Sequence, residues 1–260
     1  MPTFGLITEG ETDQHVLKNI LIGYFNDSDL IVRNLQPATD ETDSDSMGTY
    51  GSWTNVFNYC TSDFIDGAFG RNDFLVIQLD TDVSEEKGFD VPKLDKNGQK
   101  LTESALIDAV KKRLEQLFSA IKDPAFFDNY KHRILFAITV NALECWLLPL
   151  YYVDNTKAAT TNCLFKLNQQ LAKNNEKTIP KDKKGAIPMY KKIAKPYLRN
   201  KILMDKYAQN PSFKIFVENE LQIKIAIPKE RNTEGGLLLD NKSNFFAPDS
   251  HHSLKPILLF

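Results

Sequence analysis

Phe74-Leu75-Val76-Ile77-Gln78-Leu79-Asp80-Thr81-Asp82 is the stretch that decides the fold. A nearly unbroken apolar run ends abruptly in two carboxylates. Runs of this length, without polar alternation, suit a strand buried on both faces of a parallel sheet. Residues 4–8, 30–35 and 134–140 share that character. Helical spacing lies between them. Residues 12–25 put Val16, Leu17, Ile20, Leu21 and Tyr24 on one stripe, a second pattern starts at the N-cap candidate Ser52, and 102–121 repeats Leu106, Val110, Leu114, Leu117 and Ile121. Strands alternating with helices predict βαβ units, and so an α/β fold with a mostly parallel sheet and flanking helices.

Beyond Glu144 the chain turns helical and rich in lysine, with helices expected over 161–174, 188–209 and 211–221. The expected division is a catalytic domain at 1–155, a helical basic extension at 156–224 that completes the site, and an irregular tail at 225–260. Two polar loops, 37–51 and 83–101, interrupt the first part; loops of that length are either functional or solvated insertions.

The chain has 260 residues, with 32 Lys+Arg against 34 Asp+Glu. The near-zero balance hides a segregation: residues 1–130 hold 11 basic and 23 acidic side chains, and 131–260 hold 21 and 11. Such asymmetry suits a nucleic-acid surface, though a solvated lysine face gives the same count. No apolar run reaches the roughly 18–20 residues a membrane helix requires. The opening MPTFGLITEGETD lacks the basic and apolar regions of a secretory signal, so a cytoplasmic protein with no membrane association is expected. Three dispersed cysteines, Cys60, Cys145 and Cys163, and four histidines disfavour disulfide scaffolds and zinc sites.

Four signals carry chemistry. Glu9-Gly10-Glu11-Thr12-Asp13 follows the first strand, where Gly10 permits a sharp turn and Thr12 suits a helix cap. The same residues also suit a plain, well-capped helix start. Asp80 and Asp82 close the third strand two residues apart, where side chains share a face. Paired carboxylates at a strand end favour a hard divalent cation, Mg²⁺ or Mn²⁺ (Ca²⁺ fits the same donors). Glu144 is a lone acid in the otherwise uncharged run 134–152 and needs either a metal or a Lys/Arg partner. Residues 157–206 carry 13 Lys+Arg against 3 Asp+Glu, interleaved with Tyr190, Tyr197 and Tyr207. Lysines neutralise phosphates and tyrosines stack on bases, which makes nucleic acid the expected partner.

A strand followed by Glu-Gly, a second strand, then a strand ending in DxD resembles the TOPRIM fold, a Rossmann-like sheet shared by topoisomerases, bacterial primases and several nucleases. Glu9-Gly-Glu-Thr-Asp13 is similar to the EGxT[DE] motif of the overcoming-lysogenization-defect nucleases and the stand-alone RloB-like proteins. Glu144-Cys-Trp-Leu-Leu-Pro resembles their ExWLL helix start, and Asn210-Pro-Ser-Phe-Lys-Ile-Phe a late PSFxxF-like element. The resemblance implies a metal-dependent endonuclease in a phage-defence or toxin-like role. Glu9, Asp13, Asp80, Asp82 and Glu144 would serve a Mg²⁺ or Mn²⁺ site. Catalysis would rest on Glu9, Asp80 and Asp82, with Lys192 neutralising the transition state and Lys183, Lys184, Lys191, Lys195 and Arg199 holding nucleic acid. The chain has no Walker A sequence, so the ABC-type ATPase that accompanies such domains would be a separate chain. RNA or transfer-RNA processing, another TOPRIM chemistry, and a non-catalytic regulatory role beside an ATPase are the competing expectations.

Overall fold

The computed structural model describes residues 1–38, 52–122, 124–180 and 183–226. Loop residues 39–51 and tail residues 227–260, both singled out in the sequence, lie outside them. Residues 1–227 form one compact unit. In chain order its elements are β1 (Phe4–Ile7), α1 (Glu11–Phe25), β2 (Val32–Gln36), α2 (Trp53–Thr61), α3 (Phe64–Arg71), β3 (Phe74–Asp80), α4 (Glu103–Ile121), α5 (Pro124–Tyr130), β4 (Ile134–Thr139), α6 (Glu144–Tyr151), α7 (Cys163–Lys173), α8 (Lys183–Ile193), α9 (Asn200–Lys206), α10 (Pro211–Ile215), a π-helical segment Phe216–Gln222, and α11 (Ile223–Ala226).

The four described strands make one sheet in the order β2-β1-β3-β4, with every neighbouring pair parallel. Parallel neighbours require crossover connections, and the helices supply them. The chain first steps from β1 to β2, then returns across β1 to reach β3 on its other side. Strand order therefore reverses between β1 and β3. In open α/β sheets that reversal opens a crevice at the carboxyl ends of the strands.

Side-chain alternation assigns each face of the sheet its own core. Phe4, Leu6, Val76, Leu135 and Ala137 pack with buried residues of α1, α6, α7 and α8 and of the segments after them. Ile7, Leu75, Ile77, Leu79, Ile134, Phe136 and Ile138 pack with α2, α3, α4 and α5. Gln78, Asp80 and Thr139 follow the first pattern, so they point toward α1, α6 and α8. The edge strand β2 is less buried than the others, unlike the fully covered strand expected of residues 30–35.

The lysine-rich helices thus share a core with half the sheet. Trp146 of α6 is fully buried, with its ring stacked 4.8 Å from Phe213 and 5.3 Å from Phe216, both nearly parallel to it. Its indole Nε1–H donates to Ser212 Oγ at 2.8 Å, and Asn210 caps α10 by accepting the Phe213 N–H. The two short segments 144–149 and 210–216 therefore meet in space. Full burial of each such aromatic stabilises by about 1.5–3 kcal/mol.

Residues 188–209 do not form the single helix their spacing suggests. α8 starts earlier, at Lys183, and ends at Ile193; Pro196 lies in the 3₁₀ turn Lys195–Leu198, and α9 starts at Asn200. Proline lacks the N–H that a continuing helix requires. That turn crosses α1 closely: a Cβ on Gly23 would lie 1.8 Å from the Tyr197 carbonyl oxygen. Glycine is required there for close approach.

The cysteines also depart from expectation. Cys145 and Cys163 form a disulfide, with Cα atoms 5.0 Å apart, leaving Cys60 buried as a free thiol. Three dispersed cysteines argue against a disulfide scaffold, yet these two bond across 18 residues of chain. Packing of α6 against the start of α7 brings the two within bridging distance.

Candidate functional site

Glu9 follows β1 and Asp80 ends β3, the two adjacent strands between which the strand order reverses. Backbone and side chain lock them together. The Asp80 N–H donates to Glu9 Oε1 at 2.7 Å, and the Glu9 N–H donates to Gln78 Oε1 at 3.1 Å. Gln78 Nε2 donates to Asp80 Oδ1 at 2.7 Å, and Thr139 Oγ1 donates to the same oxygen at 2.5 Å.

Two helix starts contribute the other acids. Asp13 lies in the first turn of α1, and Glu144 is the first residue of α6. Glu144 Oε1 accepts the Tyr190 hydroxyl of α8. Glu9, Asp13, Asp80 and Glu144 all keep partial solvent access.

The electrostatics tie these groups into one cluster. Burial, then the neighbouring Glu144 and Glu9, push the Asp13 carboxyl well above the usual carboxylate range. Hydrogen bonds from the Gly10 backbone and the Thr12 side chain oppose that shift. Asp80 is likewise raised, by burial first, then by Glu9, Asp13 and Glu144, against the lowering hydrogen bond from Thr139. Like charges gathered with partial desolvation favour either shared protons or a cation. Among the described residues no Lys or Arg forms a salt bridge with Asp13, Asp80 or Glu144.

Gly10 works differently from its expected role. It is the N-cap of α1 with φ −150°, extended backbone open to any residue. What it supplies is room: a Cβ there would stand 3.2 Å from Asp13 Oδ2. Thr12 lies inside the helix and does not cap it.

Several expected site residues are not brought to this cluster. Asp82 is exposed as a residue, yet partial desolvation of its carboxyl, and to a lesser degree Glu86, raise it, against backbone hydrogen bonds and the Lys93 charge. The strand ends at Asp80, and the Thr81 and Asp82 N–H groups both turn to the Asn141 carbonyl, at 2.9 and 3.2 Å. Strand alternation therefore stops before it can place Asp82 beside Asp80. Lys192 pairs with Glu176 at 2.7 Å. Lys191, Lys195 and Arg199 are exposed; Lys191 and Lys18 help to depress the pKa of His15 on α1, after burial. Lys183 and Lys184 open α8, and their side chains lie outside the described residues. Tyr190 and Tyr197, expected to stack on bases, are buried core residues, and Tyr207 is half-buried.

Gln78, Thr139 and the Tyr190 hydroxyl are the contributors that sequence reasoning passed over. The signal for the first two was present, since each is a polar residue inside an otherwise apolar strand, and buried polar groups need partners.

By donor chemistry the four carboxylates suit Mg²⁺ or Mn²⁺. In this conformation, however, no group of three or more His, Cys, Asp or Glu among the described residues is gathered closely enough to hold a metal ion. No helix among the described residues is long and apolar enough to cross a membrane. No family model, curated protein or solved structure matches the chain.

Proposed function

We propose that this chain is a divalent-metal-dependent nuclease of the TOPRIM type, hydrolysing phosphodiester bonds in nucleic acid. In this reading it is a cytoplasmic effector of a phage-defence or toxin-like system, acting with a separate ABC-type ATPase. One observation carries the chemistry: Glu9 and Asp80 are hydrogen-bonded at the reversal point of a parallel sheet, and Asp13 and Glu144, from two helix starts, lie near enough for their charges to raise the Asp80 carboxyl. Further support is the resemblance of residues 9–13, 144–149 and 210–216 to motifs of such nucleases, two of which pack together around Trp146.

Bound there, Mg²⁺ or Mn²⁺ would supply an activated water and neutralise phosphate charge. The chain's own part is to hold and orient the acids. The Asp80 N–H fixes one oxygen of Glu9, and the Tyr190 hydroxyl fixes one of Glu144. Lys192 is engaged with Glu176, whereas among the described residues Lys191 is exposed and forms no salt bridge, which makes Lys191 the candidate phosphate partner in this reading.

The test is incubation of the full chain with plasmid, single-stranded DNA and total RNA, with Mg²⁺ or Mn²⁺, beside Asp80→Ala. Cleavage abolished by Asp80→Ala is expected, and cleavage of RNA alone would select RNA processing. Full metal-dependent activity in Asp80→Ala would remove the assignment. A second reading is a non-catalytic partner of an ATPase, with which the spacing of the acids among the described residues is compatible. Mn²⁺ binding that is absent, or unchanged by removing Glu9 and Asp80, would select it.

A further inference from the structure

Asp80 is held by more than its own strand. Two wholly buried polar residues, Gln78 and Thr139, both donate to its Oδ1. Gln78 lies two residues earlier on the same face of β3, and Thr139 is the register partner of Asp80 on β4. A buried carboxamide is costly unless both of its ends are bonded. The Gln78 side chain bonds only the Glu9 N–H and the Asp80 carboxylate among the described residues. The Glu9 N–H and the Asp80 carboxylate therefore account for both ends of the carboxamide.

The geometry points to Gln78 and Thr139 as positioning residues that pin Asp80 through Oδ1, leaving Oδ2 alone to meet a divalent cation. This rests on the metal-dependent reading above and extends it to residues beside the cluster. A cation gripped by both oxygens would have to displace both hydrogen bonds. With Oδ1 engaged, Asp80 binds through one oxygen and its rotamer is set before any ion arrives. Removing a partner that orients a ligating side chain typically lowers metal affinity by about 10–100-fold.

The experiment is Mn²⁺ titration of the full chain by calorimetry and electron paramagnetic resonance, with wild type, Thr139→Val, Thr139→Ser and Gln78→Met. Thr139→Val keeps the shape and removes the hydroxyl, whereas Thr139→Ser restores it. Loss of Mn²⁺ affinity by about 10–100-fold is expected in Thr139→Val and Gln78→Met, with Thr139→Ser close to wild type. Metal-free melting curves establish that each variant is folded. A folded Thr139→Val or Gln78→Met with wild-type affinity overturns the assignment, as does Thr139→Ser binding as weakly as Thr139→Val. Wild type that binds no Mn²⁺ overturns the metal reading itself, and this inference with it.

Discussion

The backbone N–H of Asp80 donates to Glu9 Oε1 at 2.7 Å, so the acid that ends one strand is held by the acid that follows its neighbour. Residues 71 positions apart in the chain are thereby placed side by side at the reversal point of the sheet. The consequences divide into electrostatics, local geometry and packing.

Asp80 and Asp13 have raised folded pKa values, so the folded state binds more protons than the unfolded one across a window that opens near the ordinary carboxylate value. Stability then falls as pH rises from about 4 through the raised folded values, and is lowest above them. Asp80→Asn should flatten that fall and melt higher than wild type at neutral pH without metal. Each kcal/mol of relieved repulsion is worth about 2–4 °C in Tm for a chain of this size. Melting temperature against pH, with and without Mn²⁺, checks this. A variant with the wild-type pH dependence would show that the cluster is not strained.

Asp82 stands outside the cluster, exposed and sensing a different set of charges. Asp82→Ala should change stability by no more than about 0.5 kcal/mol and leave Mn²⁺ binding intact. Parallel calorimetry of Asp82→Ala and Asp80→Ala makes the comparison. Equal losses in both would restore the DxD pair as a unit.

Gly23 lies where α1 closely approaches the turn at 195–198. A methyl group there meets backbone, which cannot rotate away. Gly23→Ala is expected to destabilise by about 1–3 kcal/mol or more, as an overpacked core does. Urea unfolding measures it, and Gly70→Ala, which has open space around its Cβ, is the control.

The disulfide between Cys145 and Cys163 closes a loop of 18 residues. Cys163→Ser in the oxidised protein should cost about 3 kcal/mol, the loop-closure value for that length. Thiol titration of unfolded protein should give one reactive group, Cys60, before reduction and three after it. Disulfides rarely persist in the cytosol. Alkylation before cell lysis therefore also tests the compartment: three labelled cysteines would show that the crosslink is not formed there.

The strands and their kind were legible because a parallel sheet covered on both faces imposes a local demand. Each of β1, β3 and β4 must be apolar throughout, and FGLI, FLVIQLD and ILFAIT are nearly so. Asp80 and Glu9 were legible for the same reason, as the first charges beyond those runs. The break at Pro196 was equally present in the sequence, but the apolar spacing around it masked it.

What could not be read is whatever depends on where separate elements meet. The sequence by itself determined the strand-helix alternation, the strand-end acids and the segregation of charge. Only the tertiary structure decided that Asp80 joins Asp13 and Glu144 while Asp82 turns away, that the tyrosines of the lysine-rich stretch are core, and that two distant cysteines bond. The physical reason is one of range. Burial patterns are set residue by residue along an element, whereas hydrogen bonds such as Gln78 to Glu9 and Thr139 to Asp80 require the register of neighbouring strands.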